Sequence, residues 1–598
     1  MALAQTDYFR TLALKAAMLV YVLLMHELVV NGDSTPAASK NENAGSGQHS
    51  EDRQTTPSSS ILGNYTKWAV STDAAQCVNV SRNIFNKGGS TADAAIATLL
   101  CMGVVIPHSM GIGGGFIATV YNQSSREAKI LIARERAPEN VTKDLFVNKT
   151  FKSIIGGLAV AVPGELRGYH ELHKIYGKLN WSDLFDDAIL FARCGFPIGK
   201  HLADALKAGE KYKFELANKT RRAFWNNQTG RILHEGETLI QEDLAQTLET
   251  VRDQGADYFY TGNLSKQVVK EVQENGKFSL PLAFHALSSV IYIAELEELP
   301  RFKHSVVKEL DVYVLFILIL MHKRVNSQHK RNILQFVKFV HRRFTESCKF
   351  GYAKRALLGD AEFVDRKELI KNMTSKWFAN EAKSKINDSC THNDPEYYGF
   401  VNETIEQDTG TAHATFWGQD GITISVSSTI NYYFGSLIRT QSGILLNNEM
   451  DDFSTPGKPN IYGVAPSKSN FIAPGKRPMS SMAPMVLVNS EGAVQLALGG
   501  TGGSLITSGV ALVTVRALWQ NYNIKEAIDM PRIHHQLLPN NLMVEPSFPE
   551  EDRQALRKFG HNVTERKGRF NVILGLCGRD GRIFANSDYR KGGAVDGE

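Results

Sequence analysis

A threonine that directly follows a glycine, Gly410-Thr411, constrains what this chain can fold into more than any other feature of its sequence. The pair lies in the string Asp-Thr-Gly-Thr-Ala-His at 408–413, and amide and carboxylate side chains suited to holding an amino acid follow it. If the chain breaks before Thr411, the freed α-amine has a pKa of about 7.7–8.0 and can act as general base for the threonine's own hydroxyl. The sequence therefore indicates a self-cleaving amidohydrolase whose nucleophile becomes an N-terminal threonine.

Two other interpretations of the 408–413 string stay open. Asp-Thr-Gly is also how aspartic proteases present a catalytic carboxylate, but those enzymes need two carboxylates that share a proton. This chain has no second Asp-Ser-Gly or Asp-Thr-Gly, and the residues from Glu403 to Gln407 are mostly polar where an apolar strand would be expected. The third interpretation is an ordinary turn without chemistry, which is the favoured one for a lone match of four residues.

The length and composition are those of a large globular protein. With 598 residues, 43% of them apolar, and a formal net charge of +5, the chain can bury a large core. Its Lys and Arg residues are dispersed apart from one basic stretch, so nucleic acid is not an expected partner. The glycine-rich string at 111–115 lacks the Gly-Lys-Ser/Thr of a phosphate loop, and no Cys or His cluster has metal-ligand spacing. We therefore expect neither a metal nor another cofactor.

Residues 1–32 are typical of a signal anchor or a signal peptide. Arg10 and Lys15 precede an apolar run from Ala16 to Met25. This run is short, since a membrane-spanning helix needs about 20 apolar residues, but positive residues on its N-terminal side would keep the tail in the cytosol. We expect a cell-membrane protein of type II single-pass topology, with an extracellular catalytic domain and membrane contact through this segment. A secreted protein is the alternative.

Residues 33–60 are expected to form a disordered stalk, because they are rich in Ser, Thr, Asn, Gln and Gly and have few large apolar side chains. Asn-x-Ser/Thr sites recur between Asn64 and Asn562, which indicates an extracellular, glycosylated surface. The 6 cysteines are too few for a disulfide scaffold, and one or two bridges are expected in an oxidising compartment.

The rest of the chain predicts a mixed fold of helices and strands. Short β-like runs alternate with helical stretches up to about Gly276, and from Thr411 onward the sequence is dense in strand and glycine-turn patterns. Residues 277–343 are atypical, because an apolar run, Val312–Met321, precedes a basic stretch there. The run is too short for a membrane span, so a buried strand or helix is the favoured interpretation.

A set of longer motifs occurs in the order found in one enzyme family. Those upstream of Thr411 occupy residues 88–95, 108–115, 133–138 and 162–165. Those downstream occupy residues 428–436, 443–453, 478–484 and 587–593. In residues and in order they resemble the γ-glutamyltransferases of the animal membrane-bound type, which are also called γ-glutamyl transpeptidases or glutathione hydrolases. The resemblance covers roughly residues 65–275 and 344–598.

This resemblance implies an α+β fold of the N-terminal-nucleophile hydrolase type, a four-layer αββα sandwich. One precursor would form it jointly, as a large subunit (61–410) and a small catalytic subunit (411–598). Cleavage between Gly410 and Thr411 would free the nucleophile, which would take the γ-glutamyl group of glutathione or of a γ-glutamyl conjugate as an ester. Water, an amino acid or a dipeptide would then accept that group. The alternative is an uncleaved, catalytically silent family member that acts as a surface glycoprotein.

The resemblance also assigns residues to the α-amino acid group of the substrate. Arg134 would hold the α-carboxylate as a bidentate fork, which lysine cannot copy, and would share it with Ser480 and Ser481. The residues that would receive the α-ammonium are Asn431, Glu449 and Asp452. Each of these residues alone has a plainer explanation, such as a surface ion pair, a loop carboxylate or a helix cap, and only the ordered set favours the functional one.

Around the nucleophile, the resemblance implies that Thr429 hydrogen-bonds close to the threonine and its amine. Backbone amides of Gly502 and Gly503 would form the oxyanion hole, where glycine lets the backbone approach closely. Cys77 and Cys101 match positions that are bridged in animal members, so the resemblance implies this disulfide.

The sequence departs from the family pattern in three places. After Gly276 the family normally has an Ile-Thr-x-Glu-Asp-Leu segment and a Pro-rich turn, and neither is present in 277–343. A strand missing from this part would leave a sheet edge unpaired. Thr409 stands where glycine is common and Ser427 where threonine is common, and both changes keep hydroxyl chemistry in place.

Overall fold

The structure, a computed structural model, describes residues 58–598 with gaps at 150, 213–217, 277–291, 297–311, 322–332, 402, 405–409 and 459–464. The expected leader at 1–32 and nearly all of the expected stalk at 33–60 lie outside the described residues, and so do Asp408 and Thr409.

Two antiparallel sheets form the centre of the fold. The strands are β1 Gly63–Tyr65, β2 Ala69–Thr72, β3 Gly115–Asn122, β4 Glu127–Ala133, β5 Phe196–Pro197, β6 Trp225–Asn226, β7 Arg231–Ile232, β8 Thr238–Leu239, β9 Tyr292–Leu296, β10 Glu403–Thr404, β11 Ala412–Trp417, β12 Ile422–Thr429, β13 Ala465–Pro466, β14 Met485–Val488, β15 Val494–Thr501, β16 Ile533–His534, β17 Leu542–Val544, β18 Val563–Glu565, β19 Val572–Arg579, β20 Arg582–Asn586 and β21 Ala594–Gly597. The larger sheet has the order β21-β2-β11-β12-β3-β4-β9, and the smaller has the order β1-β20-β19-β15-β14. All neighbouring pairs in both sheets are antiparallel.

Helices cover the outer face of each sheet. They are α1 Val78–Asn86, α2 Thr91–Val105, α3 Phe151–Ile154, α4 Glu165–Tyr176, α5 Asp186–Cys194, α6 Lys200–Tyr212, α7 Asn218–Ala223, α8 Glu242–Gln254, α9 Ala256–Thr261, α10 Asn263–Gly276, α11 Val312–Met321, α12 Ile333–Arg355, α13 Lys367–Met373, α14 Lys376–Lys385, α15 Leu505–Trp519, α16 Ile524–Asp529 and α17 Glu550–Lys558. Helices α2 and α4 pack against the larger sheet, and α15 and α16 against the smaller. The sheets face each other through β11 and β12 on one side and β15 and β19 on the other, which gives four layers in the order helix, sheet, sheet, helix.

The sequence of β12 explains how it lies between two layers. From Ile422 to Ser427 its side chains alternate between apolar and hydroxyl types, and all eight residues of the strand are buried. Ile424 and Val426 join the hydrophobic core between the larger sheet and its helices. Alternate residues of a strand face opposite ways, and Ser425 donates a hydrogen bond of 3.0 Å to the Leu498 carbonyl of the facing sheet. Hydroxyl side chains thus connect the two sheets, while apolar ones connect sheet to helices.

The start of α2 explains the 88–95 motif. Ser90 caps the helix by accepting a hydrogen bond of 3.1 Å from the Asp93 amide, and Asp93 accepts one of 2.8 Å from the Ser90 amide. This reciprocal arrangement satisfies two amides that the first helical turn leaves without partners. The motif therefore begins the helix that covers β11 and β12.

Two of the six cysteines lie close together in space. Cys77 directly precedes α1 and Cys101 lies in α2, with the Cα atoms 5.7 Å and the Sγ atoms 2.09 Å apart. Both distances are those of a disulfide. The pair implied by the resemblance is therefore placed correctly for a bridge.

The atypical segment 277–343 contributes a strand and a helix to the described fold. Strand β9 pairs with β4, with Ala294 opposite Ile130, so β4 is not left as an unpaired edge of the larger sheet. Val312–Met321 forms helix α11, and its Phe316 and Ile317 are buried in the core beside the smaller sheet. The interpretation of the apolar run as a buried element agrees with this.

The predicted type II single-pass membrane topology is corrected by the structure. Within the described parts of 58–598, no helix is both long enough and apolar enough to cross a bilayer. A spanning helix needs about 20 apolar residues. Helix α11, which is wholly apolar, has 10. Residues 1–32, on which that prediction was based, lie outside the described residues.

Candidate active site

Thr411 lies at the start of β11, between the two sheets, and is 2% exposed. In the continuous chain its Oγ1 donates a hydrogen bond to the carbonyl oxygen of Gly410. The hydroxyl therefore lies directly beside the carbonyl group that it would attack during self-cleavage. The carbonyl of Thr411 itself accepts a hydrogen bond of 2.8 Å from Nζ of Lys591.

Only glycine fits before the nucleophile. A Cβ atom on Gly410 would lie 1.8 Å from the carbonyl oxygen of Asn431, which real Cβ atoms do not do. Thr411 has a backbone φ of 156°, which residues other than glycine rarely adopt. The bond between these residues is thus held in a crowded, strained backbone, and strain of this kind gathers at functional sites.

Thr429 and Asn431 lie beside the nucleophile because β11 and β12 pair. Ala412 is opposite Ser428, so the residue before Ala412 meets the residue after Ser428. Oγ1 of Thr429 accepts a hydrogen bond of 2.9 Å from the Asn431 amide. The Asn431 side chain donates to the Asn448 carbonyl at 3.1 Å, and its Oδ1 is buried without a hydrogen-bond donor among the described residues. That oxygen is an acceptor suited to an ammonium group.

The glycine string at 111–115 holds the surrounding backbones close together. A Cβ on Gly113 would lie 2.1 Å from the Leu445 carbonyl oxygen, and one on Gly114 would lie 2.1 Å from that of Thr429. These contacts fix the segment after β12 and the loop that leads to Glu449. The string therefore serves backbone packing.

Arg134 directly follows β4, and its guanidinium is 2% exposed. Its two terminal nitrogens lie 3.0 and 3.3 Å from the two carboxylate oxygens of Glu449, and Nη2 also donates to Asp452. The Nε atom donates to the Pro478 carbonyl at 3.0 Å. The predicted carboxylate-binding and ammonium-binding residues are thus in direct contact.

The short helical turn Glu449–Asp452 places both carboxylates. The Glu449 amide donates to Oδ1 of Asn447 at 3.0 Å, and the Asn447 side chain donates to the Gly113 carbonyl at 2.8 Å. The turn is therefore fixed to the glycine string. Because Asn448 precedes this turn and accepts from Asn431, the nucleophile and the Arg134 cluster form one continuous site.

Ser480 and Ser481 follow the segment that contacts Arg134, and each is 2% exposed. Oγ of Ser480 accepts from the Met482 amide at 3.1 Å, which fixes a turn. Oγ of Ser481 accepts from Nη2 of Arg355 at 2.6 Å. The structure thus brings both serines to the Arg134 side of the site.

Gly502 and Gly503 form the turn between β15 and α15, with φ of 121° and 60°. Both values lie in the region that favours glycine. Strand β15 packs on β11 closely enough that a Cβ on Gly499 would lie 2.2 Å from the ring of His413. The predicted oxyanion residues therefore directly follow a strand of the smaller sheet that packs against β11.

Two buried carboxyl groups near Arg134 are suited to holding protons. Burial raises the pKa of Glu135 to about 8, and the charge of Arg134 opposes this shift. Burial also raises the pKa of Glu165 to about 8, although the Ser428 hydroxyl donates to it at 2.8 Å. In contrast, burial and then the charge of Lys591 lower the pKa of His413 to about 3. This histidine is uncharged at neutral pH.

Sequence reasoning left several residues of the site without a role. They are Asp73, Glu135, Glu165, Asn448 and Lys591. Four of them lie inside the quoted motifs, so the motifs could have shown them. Asp73 lies in none, and only the pairing of β2 with β11 and β21 shows it.

Comparisons with known proteins agree with this geometry. A sequence model described as Gamma-glutamyltranspeptidase matches residues 77–597. The chain is 40% identical over 554 residues to Scoloptoxin SSD14 of Scolopendra dehaani, covering 92% of this chain and 95% of that protein. It is 34% identical over 530 residues to Glutathione hydrolase 3 of Arabidopsis thaliana, covering 84% and 80%. It is 30% identical over 561 residues to Glutathione hydrolase 5 proenzyme of Homo sapiens, covering 88% and 92%.

A solved structure shows the same fold. The cephalosporin acylase from Bacillus halodurans has a TM-score of 0.75 and 21% identity, and the match covers 92% of this chain and 99% of that one. The predicted α+β fold of the N-terminal-nucleophile hydrolases, with its four αββα layers, is confirmed. The Thr411 hydroxyl donates to the carbonyl of the residue before it, and Arg134 pairs with Glu449. Because the family model also matches most of its length, the chain belongs to the γ-glutamyltranspeptidase family.

Proposed function

We propose that this protein cleaves itself before Thr411 and then acts as a γ-glutamyl transpeptidase and glutathione hydrolase. Its donors are glutathione and γ-glutamyl conjugates, and its acceptors are water, amino acids and dipeptides. Membership in the γ-glutamyltranspeptidase family supports this activity. The alternative of a catalytically silent surface glycoprotein is not favoured, because the Thr411 hydroxyl contacts the Gly410 carbonyl and Arg134 contacts Glu449.

The hydrogen bond from the Thr411 hydroxyl to the Gly410 carbonyl is the observation that carries the proposal. In self-cleavage, Oγ1 attacks the carbonyl carbon of Gly410, the bond to the Thr411 nitrogen breaks, and an ester replaces the amide. Water then hydrolyses the ester, which releases the carboxylate of Gly410 and the free amine and hydroxyl of Thr411. The strained backbone at this bond favours the step.

The Arg134 cluster is suited to the α-amino acid end of a γ-glutamyl group. That end is a zwitterion, and the cluster presents a guanidinium beside the carboxylates of Glu449 and Asp452. The α-carboxylate binds Arg134 as a two-point fork, with the hydroxyls of the serines at 480 and 481 beside it. The α-ammonium binds the two carboxylates and the free Oδ1 of Asn431.

Thr411 supplies both the nucleophile and the base. Its amine accepts the hydroxyl proton as Oγ1 attacks the γ-carbonyl, and the same proton passes to the departing amine. Thr429 lies beside this amine because of the strand pairing. The amides of Gly502 and Gly503 stabilise the negative charge that develops on the carbonyl oxygen. Water or an acceptor amine then attacks the γ-glutamyl ester and regenerates the enzyme.

We also infer that Cys77 and Cys101 form a disulfide in the mature protein. Their Cα atoms are 5.7 Å apart, a separation typical of bridged cysteines. Mass spectrometry of tryptic peptides under non-reducing conditions should show the two cysteines in one linked species. Two separate alkylated peptides without reduction would contradict the bridge.

The central experiment compares the wild-type chain with Thr411→Ala by denaturing gel electrophoresis after removal of N-glycans. We expect two fragments for wild type, the smaller with Thr411 at its N terminus, and one uncut chain for the variant. The cut protein should release the amine from a γ-glutamyl anilide. An uncut wild-type chain without this activity would contradict the proposal and favour the silent alternative.

A further inference from the structure

A buried ion pair touches the nucleophile, and the chemistry described above does not use it. Nζ of Lys591 lies 2.8 Å from the Thr411 carbonyl oxygen and 2.7 Å from Oδ2 of Asp73. The side chains are 2% and 0% exposed. Moving a charged pair out of water is unfavourable, so a fully buried ion pair is expected to have a structural or functional role where it lies.

Three chain segments meet at this pair. Asp73 follows β2, and its Oδ2 also accepts a hydrogen bond of 2.9 Å from the His413 amide. Lys591 lies in the turn before β21, and its amide donates to the Asp588 carbonyl at 3.2 Å. Because β2 pairs with both β11 and β21, the ion pair fixes the first peptide of the small subunit against both neighbours.

The positive charge lies close to the nitrogen that becomes the free amine. The nitrogen and carbonyl oxygen of one residue are within about 3.6 Å of each other, the reach of a single residue. The ammonium of Lys591 is hydrogen-bonded to that oxygen, whereas Asp73 contacts the backbone of Thr411's strand at His413. Lys591 is therefore the charge that contacts Thr411 itself. A like charge at this range disfavours protonation of an amine.

Other groups around the pair do not replace this effect. The titratable and charged groups nearby are Asp588, Arg569, His108, His201, His413 and Tyr433. Burial lowers the pKa of all three histidines, so they are uncharged at neutral pH. Asp588 is held by Arg532 at 2.6 Å and by Arg590 at 3.0 Å. Arg569 adds positive charge in the same sense as Lys591.

Two contacts of Lys591 favour its charged form, against the effect of burial. Burial lowers its pKa, but both of its neighbours are hydrogen-bond acceptors, one of them a carboxylate. Hydrogen bonds and an opposite charge stabilise the ammonium. The lysine can therefore act as a fixed positive charge beside the nucleophile.

We propose that Lys591, held by Asp73, is a positioning residue for the nucleophile. It fixes the carbonyl of Thr411, and its charge keeps the α-amine unprotonated near neutral pH, so that the amine can take the hydroxyl proton. This inference rests on the proposed function and adds to it the group that keeps the α-amine in its basic form.

The first test needs only the cleaved wild-type enzyme. The rate at which an acid anhydride acylates the α-amine of Thr411, followed by mass spectrometry across pH, reports the pKa of that amine. An ordinary α-amine has a pKa of about 7.7–8.0, and we expect a value lower by about one unit. A value of about 8 or above would overturn the proposal.

The second test separates the charge of Lys591 from its hydrogen bond. Lys591→Gln keeps a donor for the Thr411 carbonyl but removes the charge, and Lys591→Arg keeps the charge. In kcat/KM against pH for a γ-glutamyl anilide, the acidic limb should move up by about one pH unit for the glutamine variant and stay in place for the arginine variant. An unmoved limb in the glutamine variant, or equal shifts in both, would overturn the proposal.

Lys349→Met is the matched control. Lys349 is also a buried lysine with a carboxylate neighbour, Glu346 at 3.8 Å, and its hydrogen bonds go to Thr391, His392 and Tyr398. It should lose stability without moving the acidic limb. A wild-type chain that neither cleaves nor turns over the anilide would refute the proposed function, whereas an active wild type with an unmoved glutamine variant would refute only the role of Lys591.

Discussion

At the scale of single residues, the site depends on where side chains are absent as much as on where they are present. Gly410 meets the carbonyl of Asn431, and Gly114 meets that of Thr429, so the backbone around the nucleophile leaves no room for a methyl group. This crowding aims the Thr411 hydroxyl at its own preceding carbonyl. Single substitutions here should therefore act on maturation before they act on turnover.

Gly410→Ala should prevent self-cleavage. The added Cβ would lie 1.8 Å from the Asn431 carbonyl oxygen, so the peptide must move away from the hydroxyl. We expect a single uncut chain on a denaturing gel. Gly199→Ala is the control, because a Cβ there has no neighbour within 4 Å and cleavage should be normal. Normal cleavage of the Gly410 variant would contradict this account of the bond.

Arg134→Lys should mature but bind substrate weakly. Lysine replaces the fork with one point charge, and the lost hydrogen bond to a charged group is worth about 1.5–3 kcal/mol. That corresponds to roughly a 10- to 150-fold fall in kcat/KM for a γ-glutamyl anilide. Arg136→Lys is the matched control, since Arg136 pairs with Glu362 at 3.1 Å outside the cluster. Equal losses in both variants would show a general effect of stability.

At the scale of elements, the atypical segment is part of the fold. Strand β9 closes the edge of the larger sheet at β4, and α11 packs with α12 and α15 beside the smaller sheet. Phe316 and Ile317 of α11 are buried although the sequence of this segment departs from the family pattern. The stability of the core should therefore depend on α11.

Ile317→Ala should destabilise the protein by about 2–5 kcal/mol, because Ile317 is fully buried in the core beside the smaller sheet. Chemical denaturation of the uncut Thr411→Ala chain measures this change without interference from cleavage. Leu190→Ala is the control, since Leu190 is 58% exposed and its loss should change stability little. Similar midpoints for the two variants would show that α11 is not part of the core.

Much of the site could be predicted because its residues lie in compact motifs with distinct chemistry. Arg134, Glu449 and Asp452 meet in the structure as the resemblance implied. The pairing of Asp73 with Lys591 could not be predicted in the same way, since 518 positions separate them and only the sheet order brings them together. Strand β9 was missed for another reason. Its sequence from Val290 to Ile293 is β-branched or aromatic and typical of a strand, but the pairing with β4 depends on backbone contacts that no motif shows.

At the scale of the whole molecule, buried titratable groups should set how stability depends on pH. Burial lowers the pKa of His341, His413 and His561 to about 3 and that of His534 to about 4. Below pH 6.5 the unfolded chain gains protons that the folded chain does not, so this stability is lost as pH falls toward 3. Each such group contributes about 1.4 kcal/mol per pH unit at most.

The buried carboxyl groups act in the opposite direction. The raised pKa of Glu135 and Glu165 gives stability that is present below their ordinary pKa and is lost as pH rises toward about 8. More histidines than carboxyl groups are shifted in this way, so we expect a maximum near pH 6.5 with a fall on both sides. The melting temperature of the uncut Thr411→Ala chain from pH 4 to 8 measures this. A flat profile between pH 4.5 and 6.5 would contradict it.

The order of strands in the larger sheet has a consequence for the cut enzyme. Along that sheet, β2 from before Thr411 lies between β21 and β11 from after it, and β12 from after Thr411 lies against β3 from before it. The cut would therefore leave two chains that both contribute strands to the larger sheet. Complete unfolding of the cut protein releases two molecules where the precursor releases one, so dilution favours its unfolded state. Maturation makes the stability of the enzyme depend on its own concentration.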